Sequence, residues 1–370
     1  MREKTRNEIE DLENPGTIVP TAKKADDSTV KALLSDRIDD KLVEGLFNTS
    51  RTEGFSTGYR SVDRLIDGLK VGSLTVLVAS TGMGKSILGM NILVNLNRDK
   101  QLPVVYIDLE NGALETTERL IKIWHGETLP TDFFENDKYR PDVIRMKDEF
   151  KTFNYYSHDD FKKISREVIL KLIKYHARKG VKVFLIDPLE CIPDTEVYNK
   201  QQEEGVIVRD LKNLAQEENI AIILCHHFRK TSSGRDTFVG SIFDVDAPKV
   251  RIPTLDDMRG TSEIGDSATG VWALVRLNGV DGHTASDRAL FRVLKNRFGH
   301  LGDAYLDFVP HPLGFKELNS TQLIELFNVK NDRKKKKEEA KDKKTKKELE
   351  LDAIGNRYAE SQKLPIDGEK

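Results

Sequence analysis

One octapeptide constrains the fold of this chain more than any other: Ala79-Ser-Thr-Gly-Met-Gly-Lys85-Ser86. Ahead of it stands Ser73-Leu-Thr-Val-Leu-Val, an apolar, β-branched run bounded by Gly72. Behind it, Leu88, Ile92 and Leu96 recur at helical spacing. Strand, glycine-bearing loop and helix, in that order, predict a phosphate-binding loop rather than an ordinary glycine turn. Gly82 and Gly84 let the backbone curl. The amides of Ser80, Thr81, Gly82, Met83 and Gly84 then face one point, where the helix N-terminus adds its partial positive charge. Lys85 is expected at the β- and γ-phosphates and Ser86 at a magnesium ion. Ala79 stands where the usual pattern has its first glycine, a small residue that still fits. The chain is expected to bind ATP or another nucleoside triphosphate, with Mg²⁺.

The rest of the composition narrows the setting. A length of 370 residues allows one large domain with appendages, or two domains. Cys191 and Cys225 have no C-x-x-C partner, which excludes a disulfide scaffold and a cysteine zinc site. No apolar run approaches the roughly 18 residues of a membrane helix. The acid-bearing N-terminus does not read as a signal or transit peptide. A cytoplasmic protein with no membrane association is expected. The net charge of −2 hides an asymmetry: residues 333–347 hold ten Lys and Arg against three acids. The remaining body is therefore acidic, which argues against a surface that binds nucleic acid everywhere. Any DNA contact in it must be local, in loops or a channel.

Residues 1–27 are polar, contain Pro15 and Pro20, and are predicted disordered. Ser28 caps a helical pattern through Val30, Leu33, Leu34, Ile38, Leu42, Val43 and Leu46. This linker helix, within 28–50, either folds back on its own domain or packs on a neighbouring subunit. The main domain is placed at 51–328. Strands are predicted at Ser73–Val78, Val104–Asp108, Lys182–Asp187 and Ile220–Cys225, with helices between them. A helix is predicted over Phe161–Lys179, with Phe161, Ile164, Val168, Leu172 and Tyr175 on one face and Gly180 as its stop. Residues 127–150 read as an irregular insertion. Val271–Val275, Arg288–Lys295 and Tyr305–Val309 read as later strands extending the sheet. The fold class is α/β: a mostly parallel sheet with helices on both sides. The segment 329–370 is predicted to be a charged, low-complexity, disordered tail, either solvated or a tether to DNA or a partner.

Val181-Lys-Val-Phe-Leu-Ile-Asp187 is an apolar strand ending in a carboxylate, the form of a Walker B motif, which puts Asp187 beside the magnesium ion. Hydrolysis also needs a group to orient and deprotonate water. Glu110, ending Val104-Val-Tyr-Ile-Asp-Leu-Glu110, is the better candidate, against a plain helix-capping role; Glu190 is the other.

Several segments then resemble one family in order and spacing. They are the phosphate loop, I-D-L-E-N-G-A-L-E-T-T-E-R-L-I, L-I-D-P, I-I-L-C-H-H-F-R-K, D-M-R-G-T-S and L-K-N-R-F-G. The pattern, over roughly residues 50–318, is similar to the RecA-like helicases of the DnaB superfamily. Its nearest likeness is the helicase half of short-tailed-phage primase-helicases and mitochondrial Twinkle. The resemblance implies a RecA-like core, Glu110 as catalytic base and His226 as γ-phosphate sensor, with His227 structural. It implies Lys295 and Arg297 as cations supplied to a neighbour's nucleotide, Arg297 being the arginine finger. It implies Arg276 and Phe308 as the pair sandwiching the base. Single-stranded DNA is expected at the loop carrying Arg229, Lys230, Ser232, Ser233 and Arg235. Lys200, in the loop after Asp187, and Arg259 are expected to complete the channel. With no aromatic interleaving there, little sequence preference is expected. Glu263-Ile-Gly-Asp266 departs from the Gln or basic residue often found after D-M-R-G-T-S. The linker helix corresponds in place to one that docks on the adjacent subunit, implying a homo-hexameric ring. Without cysteine ligands or room for a primase ahead of residue 51, priming is expected from a separate primase or polymerase partner. The reading is a replicative DNA helicase. The alternatives are a RecA-like recombinase or regulatory ATPase without unwinding, or an ATP-gated loader.

Overall fold

Short apolar runs, buried along their whole length, form the centre of the sheet. They are β1 (Ser73–Ala79), β2 (Val104–Asp108) and β4 (Val183–Asp187), with β5 (Ala221–His227) buried up to its last residue. Strands covered on both faces read as continuous apolar stretches, which is why these four were legible. The computed structural model describes residues 54–193, 200–228, 253–258, 262–278 and 285–324. The predicted linker helix and lysine-rich tail lie outside them.

Among the described residues, nine strands form one sheet in the order β3-β2-β4-β5-β1-β6-β7-β8-β9, where β3 is Phe153–Tyr156, β6 Gly270–Asn278, β7 Ala285–Asn296, β8 Gly302–Pro310 and β9 Leu313–Glu317. From β3 to β6 all pairings are parallel; from β6 to β9 all are antiparallel. The later strands extend the sheet, as expected.

Side-chain alternation splits the core between two faces. On one, Leu77, Val104, Tyr106, Leu185, Ile223 and Cys225 pack with helices α2 (Lys85–Lys100) and α3 (Ala113–His125). On the other, Val76, Val78, Ile107, Phe184, Ile186 and Leu224 pack with α5 (Arg166–Arg178) and α6 (Lys200–Glu217). Helix α1 (Arg60–Ile66) precedes the sheet, α4 (Arg140–Glu149) follows α3, and a short α7 (Ser262–Ser267) leads into β6. Among the described residues, no helix is long and apolar enough to cross a membrane.

Three expectations change. The helix predicted from Phe161 begins at Arg166, because the Ser165 side chain accepts the Val168 amide and caps it. Its buried stripe is Ile169, Ile173, His176 and Ala177, while Val168 and Tyr175 face solvent. A histidine enters this core because Tyr156 on β3 meets its Nε2 at 2.7 Å. The insertion at 127–150 is not irregular: it contains α4, started by Pro141, and Trp124 bonds Glu149 at 2.7 Å. Lys200 opens α6 instead of lying in a loop.

Candidate active site

Open α/β sheets bind ligands beyond the carboxyl ends of their parallel strands. Here a cleft of about 600 Å³ opens there, lined by Ser80 to Gly82, Gly84 to Ile87, Glu110, Asn111, His227, Phe308, Leu313 and one face of α3. Its floor is the loop between β1 and α2. Gly84, the residue before the helix, has φ +90° and no side chain to cap it, so the first-turn amides stay open to an anion. Phe315 of β9 packs against this glycine, and a Cβ there would fall 2.9 Å from the ring edge. Gly84→Ala is therefore expected to cost about 1–3 kcal/mol of stability and to weaken nucleotide binding. Denaturation and nucleotide titration of the variant check this, and unchanged values in both would contradict the packing.

Lys85 Nζ lies 2.5 Å from Asp187 Oδ1, and both side chains are almost wholly buried. Burial alone would push the Lys85 ammonium down, but the Asp187 charge more than offsets it and holds its pKa above the ordinary lysine value. Asp187 Oδ2 is buried with no hydrogen-bond partner. An orphaned carboxylate oxygen behind Lys85, with Ser86 among the residues lining the cleft, fits a magnesium ion. Such an ion usually takes one or two carboxylates plus substrate phosphates. Among the described residues no group of three or more His, Cys, Asp or Glu would hold a metal alone.

Glu110 is exposed in the cleft wall, on the turn between β2 and α3. What holds this turn went unforeseen. Asp108, fully buried, accepts from the amides of Glu110 and Asn111 at 3.1 and 3.0 Å, from Asn111 Nδ2, and from Thr116 Oγ1 at 2.7 Å. Asp159 Oδ2 accepts the first amide of α3 at 2.9 Å. The signal for Asp108 was present: an aspartate closing a strand, followed by a turn and a helix start, favours local side-chain to backbone bonds.

The histidines exchange places relative to expectation. His226 is wholly buried, and His227 lines the cleft. Alternation along β5 sets this. Ile223, Cys225 and His227 follow the α2 face, which carries the cleft, whereas Ile222, Leu224 and His226 follow the other. Glu190, in the turn after β4, accepts the His227 amide at 2.9 Å.

Arg276 and Phe308 stand together at the cleft edge, but on each other: the guanidinium carbon is 4.3 Å from the ring centroid. In this arrangement no base fits between them; the sandwich is closed, and Phe308 and Leu313 form the apolar end of the cleft. Lys295 and Arg297 lie away from it. Lys295 donates to the carbonyls of Gly265 and Asp266 at 2.6 and 2.9 Å, and Arg297 to that of Asp266 at 3.2 Å. Asn296 pairs with Gly270, which is level with Thr75, so this pair sits toward the end of the sheet opposite the phosphate loop.

Arg229, Lys230, Ser232, Ser233, Arg235 and Arg259 lie outside the described residues, as does the Lys200 side chain. The residues before them are described: Phe228 and Met258, the last described residues ahead of the two segments, form an antiparallel bridge.

Comparison with known proteins agrees with this architecture. A probable plasmid replicative DNA helicase of Chlamydia trachomatis is 25% identical over 266 residues, covering 70% of this chain and 53% of that protein. The chain thus spans about half the length of the curated relatives it matches first. An ATPase domain solved on its own has the same fold, with a TM-score of 0.62 at 20% identity over 80% of this chain and all of that one. A DnaB-like replicative helicase, solved together with a study of its interactions with primase, gives 0.61 at 21% identity over 77% and 67%. Residues 54–317 match the DnaB-like helicase C terminal domain, and the chain belongs to that family.

Proposed function

We propose that this chain is the motor of an ATP-dependent replicative helicase, a homo-hexameric ring that translocates on single-stranded DNA. One observation carries the reading: half of an NTPase site converges on one cleft, while the candidate finger sits toward the opposite end of the same sheet. Lys85 and the open amides of α2 receive the β- and γ-phosphates. Magnesium, when bound at Ser86 and Asp187, neutralises the phosphate oxygens and fixes their geometry. Glu110, held by the turn that Asp108 ties, orients the attacking water and accepts its proton. His227, rather than His226, contacts the terminal phosphate and reports its loss. Arg297 of the next subunit, with Lys295, stabilises the charge that develops as the phosphate leaves. Such fingers are worth about 10³–10⁵ in rate.

The sensor strand runs directly into Phe228 and then the Arg229–Arg235 segment, so a change at the γ-phosphate reaches the DNA-gripping residues through one strand end. The adjacent Arg259 segment joins the same channel. Domain limits of 51–328 for the motor, with a linker helix at 28–50 and a tail at 329–370, accompany this reading. So do a cytoplasmic setting and a separate primase as partner, the last prompted by the primase interactions studied in the solved relative.

Unwinding of a forked duplex tests it. ATP-dependent strand separation, absent in Lys85→Ala, is expected. ATP turnover without strand separation would instead assign the chain to the recombinase or regulatory class. Tight nucleotide binding without turnover would assign it to the loaders.

A further inference from the structure

Two chain segments leave the carboxyl ends of neighbouring strands here: one after Asp187 on β4, the other after His227 on β5. A single carboxylate joins them. Glu190 Oε1 accepts the backbone amide of His227 at 2.9 Å and lies 2.9 Å from Nδ1 of both His227 and His226. The Glu190 side chain is only 9% exposed, and a buried anion persists only where it is paired. Burial by itself would raise its carboxyl pKa, but the two imidazoles outweigh that and hold it well below the usual carboxylate range. The anion is thus built into the fold.

The geometry has a directional consequence. With Nδ1 of His227 committed to Glu190, Nε2 is the ring nitrogen left for a ligand in the cleft that His227 lines. The bond also crosses between segments, since Glu190 belongs to the short turn Leu189–Cys191 and His227 to the end of β5. Both segments lead toward residues the sequence assigns to the DNA channel.

We propose that Glu190 is the positioning residue of the phosphate sensor: it orients His227 toward the terminal phosphate and passes its response to the segment after β4. This rests on the helicase reading and adds a member that acts only through another side chain. A sensor turned away from the phosphate leaves ATP binding intact but misplaces the transition state, and small misplacements cost about a hundredfold in rate.

The test compares wild type, Glu190→Gln, His227→Ala and the double variant. Two quantities are measured: ATP turnover with single-stranded DNA, and single-stranded DNA affinity with a non-hydrolysable ATP analogue against ADP. Glu190→Gln keeps the shape of the side chain and is the informative variant even if Glu190→Ala fails to fold. The expected result is a fall in kcat of about tenfold or more with KM for ATP within about twofold. The ratio of DNA affinities in the two nucleotide states moves toward one, and the double variant is no worse than the more damaged single. Multiplying effects in the double variant, or a Glu190→Gln protein that keeps both kcat and the affinity ratio, overturns the assignment and leaves the helicase reading standing. A wild-type chain whose turnover ignores DNA sinks the helicase reading, and this proposal with it.

Discussion

Lys85→Ala is expected to stop ATP turnover and, separately, to destabilise the protein before any nucleotide is added. The first effect follows from the loss of a cation aimed at the phosphates. Removing one preorganised group of this kind costs about 10²–10³ in kcat. The second follows from the pair with Asp187. Both members are buried, at 6% and 1% exposure. Deleting the ammonium leaves a buried carboxylate without its counter-charge, and breaking a buried ion pair from one side costs about 3–5 kcal/mol. Turnover and denaturant unfolding of the nucleotide-free variant measure the two effects independently. A second substitution separates them further: Lys85→Ala with Asp187→Asn regains much of the stability, since no unpaired charge remains, but none of the turnover. A Lys85→Ala protein as stable as wild type would contradict the Lys85–Asp187 pair.

Much of this cleft was legible in the sequence, and the reasons are local. The phosphate loop sits between an apolar run and a helical repeat, and no tertiary information is needed to read it. The Asp187 assignment followed from an apolar strand with a terminal carboxylate, and Glu110 from the neighbouring strand. What failed depended on a face or a partner. His226 and His227 are adjacent, so only the parity of β5 distinguishes them. That parity runs from Ile223 through Cys225 to the last residue of the strand, His227. The α5 stripe was misjudged because it includes a buried histidine whose partner, Tyr156, lies on another element. Strand β3 is a short edge strand with a half-exposed pattern, indistinguishable in sequence from a loop. The contact between Arg276 and Phe308 joins β6 to β8, strands separated by β7, and no spacing rule reports it.

Arg297→Ala is expected to abolish cooperative hydrolysis while leaving nucleotide binding and the fold nearly unchanged, and its location explains both halves. The exposed guanidinium donates to one backbone carbonyl, that of Asp266, so its loss leaves no buried charge. On its own chain it cannot assist. Asn296 is level with Thr75, and the phosphate loop starts five residues further along β1. At about 3.3 Å per residue this is roughly 16 Å, before counting that Arg297 lies beyond Asn296. If the residue acts, it acts on the neighbour, through a head-to-tail contact of the kind that closes into rings. A mixing experiment follows. Neither Lys85→Ala nor Arg297→Ala turns over ATP alone. In a mixed ring, however, an Arg297→Ala subunit with an intact phosphate loop meets a Lys85→Ala subunit with an intact finger. With random 1:1 mixing, about a quarter of interfaces carry both intact halves. Recovered ATPase approaching that fraction, from two inactive proteins, is the expected result. No recovery from a mixture shown to exchange subunits would place the finger elsewhere. Full activity of Arg297→Ala by itself would remove it from the site altogether.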